Sequence, residues 1–144
     1  MKASSSSAEQ LISKAIRAAD SARLLLNAGD FSGACNREYY AMFDAAGAAL
    51  QAVGAPAALD STRSHSGLIH AFSMHVIKPE WLPKELGRQL TRAHELRLIA
   101  DYKGDPIEKP DALAVVEQAK SFVAAVRLRM SSRPDPGSEA KPKS

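Results

Sequence analysis

A chain of 144 residues with 45% hydrophobic side chains can bury one core without disulfides or metal ions. Its formal net charge is only +3, and part of that charge lies near the two ends, which argues against strong, non-specific binding of nucleic acid. A single cysteine excludes an internal disulfide, and no stretch is apolar for the length of a membrane span. We therefore expect a cytoplasmic protein.

Apolar residues recur at helical spacing along most of the chain, and prolines and capping residues separate the periodic segments. The predicted helices span about 8–27, 30–53, 64–76, 83–102 and 110–130. Gly29 suits a helix end and Asp30 suits an N-cap. Because no alternating strand pattern and no repeat occurs, we expect an all-α fold, an antiparallel four-helix up-and-down bundle with an additional short helix.

The two ends differ in composition from this body. Residues 1–7 are rich in serine, and residues 131–144 are rich in proline, serine and charged side chains, so neither segment can bury enough apolar surface to order itself. We predict one domain at 8–130 between a flexible N-terminus and a disordered tail.

An arginine falls on the apolar stripe of the fourth predicted helix. At about 100° per residue, Arg97 aligns with Leu90 and Ala93. Burying a guanidinium group costs free energy unless the group is paired or works in a site. The spacing leaves two explanations open, an ion pair with Asp101 and a functional cleft.

Four blocks of sequence resemble a known family in their order. They are NREYYAMFDAA at 36–46, SHSG at 64–67, LPKELG at 82–87, and Arg97 followed by ADY at 100–102. Together they resemble the HEPN domain over about residues 8–130. Within it they resemble the small, single-domain prokaryotic branch associated with minimal nucleotidyltransferases.

The resemblance implies a helical bundle that forms a homodimer and is encoded beside a minimal nucleotidyltransferase in a toxin-antitoxin or defence module. Many such proteins are metal-independent RNases with a cleft at the dimer interface, and their signature is an arginine followed after four to six residues by a histidine. In this chain no histidine follows Arg97, and the region reads Asp101-Tyr102. An endoribonuclease and a non-catalytic HEPN protein that binds a nucleotidyltransferase or a nucleotide both remain open.

The candidate catalytic residues are Arg97, His65, Asp101 and Tyr102. His65 lies in the first turn of the third predicted helix, where the positive end of the helix dipole favours a neutral imidazole. That imidazole can accept a proton from a ribose hydroxyl while Arg97 stabilises the phosphate. The alternative is a histidine bonded to a backbone carbonyl. Asp101 is either a structural partner of Arg97 or an acid or base.

The resemblance also implies that the partner nucleotidyltransferase adenylylates a tyrosine near the signature, and Tyr102 holds a similar place. Its alternative role is to anchor the following loop. Arg37 and Tyr40 share a helix face with Asp44. They form either a groove for RNA or nucleotide, or an intrahelical ion pair beside a packed tyrosine.

Other reactive side chains give weaker signals. Arg88 and His94 match the signature spacing but lie about 120° apart on one helix, which favours a solvated arginine and a surface or interface histidine. Steps of five residues separate His65, His70 and His75, so they cannot share one metal ion. Cys35 is typical of a small core residue. We expect no metal and no cofactor.

Overall fold

The computed structural model describes residues 7–55, 65–103 and 107–132, and for residues 99–103 it describes the backbone alone. The helices are α1 (Ser7–Asn27), α2 (Phe31–Ala52), α3 (His65–Phe72), α4 (Lys84–Lys103) and α5 (Lys109–Ser131). A π-helical turn, Ser73–Ile77, continues α3. The predicted helical bundle is confirmed, and no strand occurs in the described ranges. The predicted flexible ends lie outside them, apart from Ser7, Ser131 and Ser132.

A tight turn joins α1 to α2 and makes them an antiparallel hairpin. Gly29 has a φ of 86°, which a side chain would oppose. Asp30 then caps α2, because the backbone N–H of Gly33 donates to its Oδ1 at 2.9 Å. Both predicted signals, the glycine stop and the aspartate cap, are confirmed.

Helix α2 forms the centre of the bundle and contacts every other helix. Small side chains let the axes of α1 and α2 approach closely. Both helices bury alanines completely, among them Ala15, Ala18, Ala22, Ala41, Ala45 and Ala48. Larger side chains, among them Leu50, Phe72 and Phe122, fill the space towards α3 and α5.

The connector before α4 is attached to the last helix. Arg129 of α5 donates from Nε to the carbonyl oxygen of Trp81 at 2.9 Å, and its guanidinium carbon lies 4.6 Å from the centroid of the Trp81 ring. Leu82 is buried beside it. These contacts, together with the bond from the Trp81 N–H to the Val76 carbonyl oxygen, hold the connector between the π-helical turn and α5.

The described helices do not include one long and apolar enough to cross a membrane. Helices α1 and α5 are further joined at the surface by an ion pair between Arg23 and Glu117.

Candidate functional site

A buried tyrosine lies where α2, α3 and α4 meet. Tyr39 is 1% exposed, and its hydroxyl lies 3.0 Å from Nδ1 of His65 and 3.2 Å from Nδ1 of His94. Both histidines are half-buried. We call Tyr39, His65, His94 and Arg97 the Tyr39 cluster.

Aromatic packing holds the two imidazoles in place. Phe43 follows Tyr39 by one helical turn, so both rings lie on one face of α2, with centroids 5.9 Å apart. The centroid of the His65 ring lies 4.6 Å from that of Phe43 and 5.9 Å from that of His94. The side chains therefore converge from three helices that are distant in sequence.

Arg97 points into this cluster. Its guanidinium carbon lies 4.8 Å from the ring centroid of Tyr39 and 5.1 Å from that of Tyr40, within the range of a cation–π interaction. The predicted inward register of α4 is confirmed, because Leu90 and Ala93 on the same stripe are buried. The side chains of Asp101 and Tyr102 lie outside the described residues, and so does the predicted Arg97–Asp101 ion pair.

The surroundings control protonation in the cluster. Burial lowers the pKa of His65, and electrostatic interactions with Arg97 and His94 lower it further, which favours the neutral imidazole. The predicted neutral state thus has burial as its main cause. Burial raises the pKa of Tyr39 to about 12, which keeps the phenol protonated. The hydrogen-bond partner of His65 is this phenol, a side chain that the sequence did not single out.

Arg37 and Tyr40 adjoin the cluster on α2. The guanidinium carbon of Arg37 lies 5.9 Å from the Tyr40 ring centroid, so two arginines approach this ring. Arg37 forms no ion pair with Asp44 within 4 Å among the described residues. Asp44 is half-buried, and its burial raises its pKa even though Lys14 and Arg37 oppose the shift.

The sequence predicts a surface or interface position for His94, and the structure half-buries it beside the Tyr39 hydroxyl. Arg88, which matches the signature spacing with His94, lies elsewhere, exposed and paired with Glu85 at 3.3 Å. His94 and Arg97 lie three residues apart and therefore share one face of α4. This spacing is a local signal that His94 belongs with Arg97, whereas the contact between His94 and Tyr39 depends on how the helices pack.

Comparison with known protein families covers the segments that form the Tyr39 cluster. The family model of the HEPN domain matches residues 8–129, which include nearly all of the described helices. The chain belongs to the HEPN domain family. The predicted resemblance is therefore confirmed, and the Tyr39 cluster lies within the matched region.

Three relatives agree with this assignment. A UPF0332 protein of Gloeobacter violaceus is 34% identical over 117 residues, which cover 80% of this chain and 89% of the relative. A UPF0332 protein of Thermotoga maritima is 34% identical over 109 residues, 74% of this chain and 78% of the relative. A Methanocaldococcus jannaschii protein named "Putative toxin MJ0605" is 26% identical over 106 residues, 74% of this chain and 75% of that protein.

This HEPN domain also buries an acid beside the cluster. Glu38 is 4% exposed, its Oε2 has no hydrogen-bond partner in the described part of the chain, and burial raises its pKa to about 8. Cys35, one turn earlier, has a pKa raised to about 11 by its half-buried position, which fits the predicted unreactive thiol. His70 and His75 are exposed, and no group of side chains in the described ranges could hold a metal ion.

Two groups of basic side chains in the HEPN domain involve residues of α4. Arg37 and Arg97 approach Tyr40. A separate groove of about 390 Å³ lies between the π-helical turn and α4, and Lys84, Arg88 and Arg92 line it. Arg63 lies outside the described residues.

Proposed function

We propose that this HEPN protein is the RNase of a toxin-antitoxin or defence module and acts in a cleft at a homodimer interface. The observation that carries the proposal is the convergence of Arg97, His65 and His94 around Tyr39, which brings a permanent cation and two imidazoles together. These are the groups that RNA cleavage through its own 2′-hydroxyl requires. The relative named as a toxin supports the same module.

The reaction uses the RNA's own nucleophile. One imidazole takes the proton of a 2′-hydroxyl, the 2′-oxygen bonds to the adjacent phosphorus, and the bond from phosphorus to the 5′-oxygen breaks. The second imidazole delivers a proton to that leaving oxygen, which gives a 2′,3′-cyclic phosphate and a 5′-hydroxyl. Arg97 stabilises the extra negative charge on the phosphorane. Every proton step is carried by a side chain of the cluster.

Arg37 and Tyr40 bind the RNA next to the cleaved bond. An RNA base can stack on the half-buried Tyr40 ring, and Arg37 can pair with a phosphate. This assignment is supported by the missing Arg37–Asp44 ion pair in the described residues, which leaves the guanidinium group over an aromatic ring.

The homodimer is supported by exposed apolar side chains on either side of Arg97. Leu96 is 43% exposed and Leu98 is 54% exposed, both on α4. A second copy that covers this part of α4 would close the cleft from outside. The partner nucleotidyltransferase and the adenylylation of Tyr102 are proposed from the family resemblance.

RNA cleavage by purified protein tests the catalytic assignment. Arg97→Ala should lose about 10²- to 10³-fold in cleavage rate, since it removes one charged donor from the transition state. His65→Ala should lose at least about 10²-fold, since it removes a proton acceptor or donor. Arg17→Ala and His70→Ala, both at exposed positions, are the matched controls and should cleave like the wild type.

Intact RNA with the wild type, in the tube and in expressing cells, would overturn the RNase assignment. Binding of a nucleotidyltransferase or a nucleotide without cleavage would then favour the non-catalytic alternative. Full activity in Arg97→Ala would separately remove the guanidinium from the mechanism.

Solution mass tests the dimer. The wild type should have about twice the 15.4 kDa of one chain, and Leu98→Glu should return it to the monomer mass with loss of cleavage. Leu24→Glu, at a leucine of α1 that is 69% exposed, should remain dimeric. A monomeric wild type would refute the interface cleft.

Co-expression with a minimal nucleotidyltransferase encoded beside the gene tests the modification. The wild type should gain the mass of an AMP group and stop cleaving RNA, whereas Tyr102→Phe should gain none. Modification of Tyr102→Phe would move the acceptor elsewhere.

A further inference from the structure

The Tyr39 hydroxyl has two nitrogen neighbours but one proton. It lies within hydrogen-bond distance of Nδ1 of His65 and Nδ1 of His94. A phenol donates once and accepts with its oxygen lone pairs. Both contacts are hydrogen bonds only if one Nδ1 is bare and accepts from Tyr39, while the other carries a proton and donates to it.

We propose that Tyr39 is a positioning residue that holds the two imidazoles in opposite states and relays a proton between them. The imidazole that donates from Nδ1 has a bare Nε2 and is the base. The imidazole that accepts at Nδ1 has an Nε2–H and is the acid. The catalytic part of this proposal rests on the RNase function above, whereas the pairing of the imidazoles does not.

The relay solves a chemical problem of the site. A neutral imidazole is a very weak acid, because losing its remaining proton would leave an anion. In the relay, the acid imidazole gives its Nε2 proton to the 5′-oxygen and takes the Tyr39 proton at its bare Nδ1. The acid imidazole therefore stays neutral. The Nδ1 proton of the base then moves to the Tyr39 oxygen as its Nε2 takes the 2′-hydroxyl proton. One proton thus passes from the 2′- to the 5′-oxygen, and the two imidazoles exchange states.

The surroundings of Tyr39 favour this arrangement. At 1% exposure the hydroxyl has little access to water, so its hydrogen bonds come from the protein. The guanidinium group of Arg97, 4.8 Å from the ring, disfavours a second cation among the imidazoles. The other titratable neighbours of the phenol are Tyr40 and Glu38. Burial raises the pKa of Glu38 to about 8, so among these described neighbours of the phenol Arg97 is the permanently charged group.

Nitrogen NMR of the folded, substrate-free protein tests the pairing. Protonated and bare ring nitrogens have well separated shifts, and the chain has only 4 histidines, which His65→Gln and His94→Gln assign. We expect opposite states at the two Nδ1 atoms, in either order. Tyr39→Phe, which retains the ring, should shift both signals. Tyr40→Phe, at the neighbouring tyrosine, should shift neither.

The pH profile of cleavage tests the relay. With the relay, the wild type needs no charged histidine and should retain its rate above the ordinary histidine pKa of about 6.5. Tyr39→Phe must use an imidazolium as its acid, so its rate should be about 100-fold lower and should fall as pH rises above that value.

Identical Nδ1 states in the wild type, or unchanged spectra in Tyr39→Phe, would overturn the pairing whether or not that variant is stable. Parallel pH profiles for the two proteins would overturn the relay. Opposite Nδ1 states in a protein that leaves RNA intact would support the pairing and refute the RNase function.

Discussion

Helix α2 buries two different kinds of side chain along its length. From residue 41 to residue 50 its inward positions are small or apolar, and Leu50 is fully buried. One turn earlier the same helix buries Glu38 and Tyr39. Volume and apolar contact decide the packing of the later half, whereas hydrogen bonding and protonation decide what the earlier half can tolerate. One half of α2 therefore belongs to the hydrophobic core, and the other half supports the candidate site.

Leu50→Ala tests the later half and should have the largest effect on stability. Removing a fully buried leucine leaves a cavity, so the free energy of unfolding should fall by about 2–5 kcal/mol. Urea denaturation measures it, with Leu24→Ala as the exposed control, expected within about 0.5 kcal/mol of the wild type. The imidazole signals of the folded variant should be unchanged. A stability loss as small as the control's would show that Leu50 is not part of a tight core.

Glu38→Gln tests the earlier half through pH. The folded chain keeps the Glu38 proton up to a pKa of about 8, whereas the unfolded chain loses it near 4.5. This contribution to stability is complete below the unfolded pKa and is lost as pH rises through the folded pKa. Between pH 5.5 and 7.5 the wild type should lose about 2–3 kcal/mol that Glu38→Gln retains.

Denaturation at several pH values measures that difference. Glu108→Gln, at an exposed glutamate before α5, should keep the wild-type slope. If the stability of Glu38→Gln has the same pH dependence as that of the wild type, the Glu38 carboxyl is ionised in the folded protein and has a partner.

Asp30→Ala should have the smallest effect. It removes the cap on the Gly33 N–H at the start of α2, which should cost about 1 kcal/mol in the free energy of unfolding. Asp30→Ser, which can also accept, should retain most of the stability. Wild-type stability in Asp30→Ala would show that water caps this helix equally well.

The sequence predicted the bundle because periodicity, capping and proline placement are local signals. It predicted the inward register of Arg97 for the same reason, and Leu90 and Ala93 confirm that register. The sequence did not predict that His65 and His94 both contact Tyr39. Nothing local relates Tyr39 to His65, 26 positions later, or to His94, 55 positions later.

Glu38 shows a second limit of local reasoning. Glu38 follows Asn36 and Arg37, and a charged residue in such a polar run is normally assigned to solvent. Its burial depends on the neighbouring helices. Burial raises the pKa of Glu38 to about 8, so the carboxyl can be buried in its neutral form.

The contact between Arg129 and Trp81 has a consequence for the order of events during protein synthesis. An elongating chain that already contains Tyr39, His65 and His94 still lacks the last helix, whose arginine attaches the connector before α4. Until that helix leaves the ribosome, the connector lacks the Arg129 contact, while its backbone bonds to the π-helical turn, such as the one from the Trp81 N–H to the Val76 carbonyl oxygen, can already form. The nascent chain therefore gains the Arg129–Trp81 contact after the residues of the Tyr39 cluster have been synthesised.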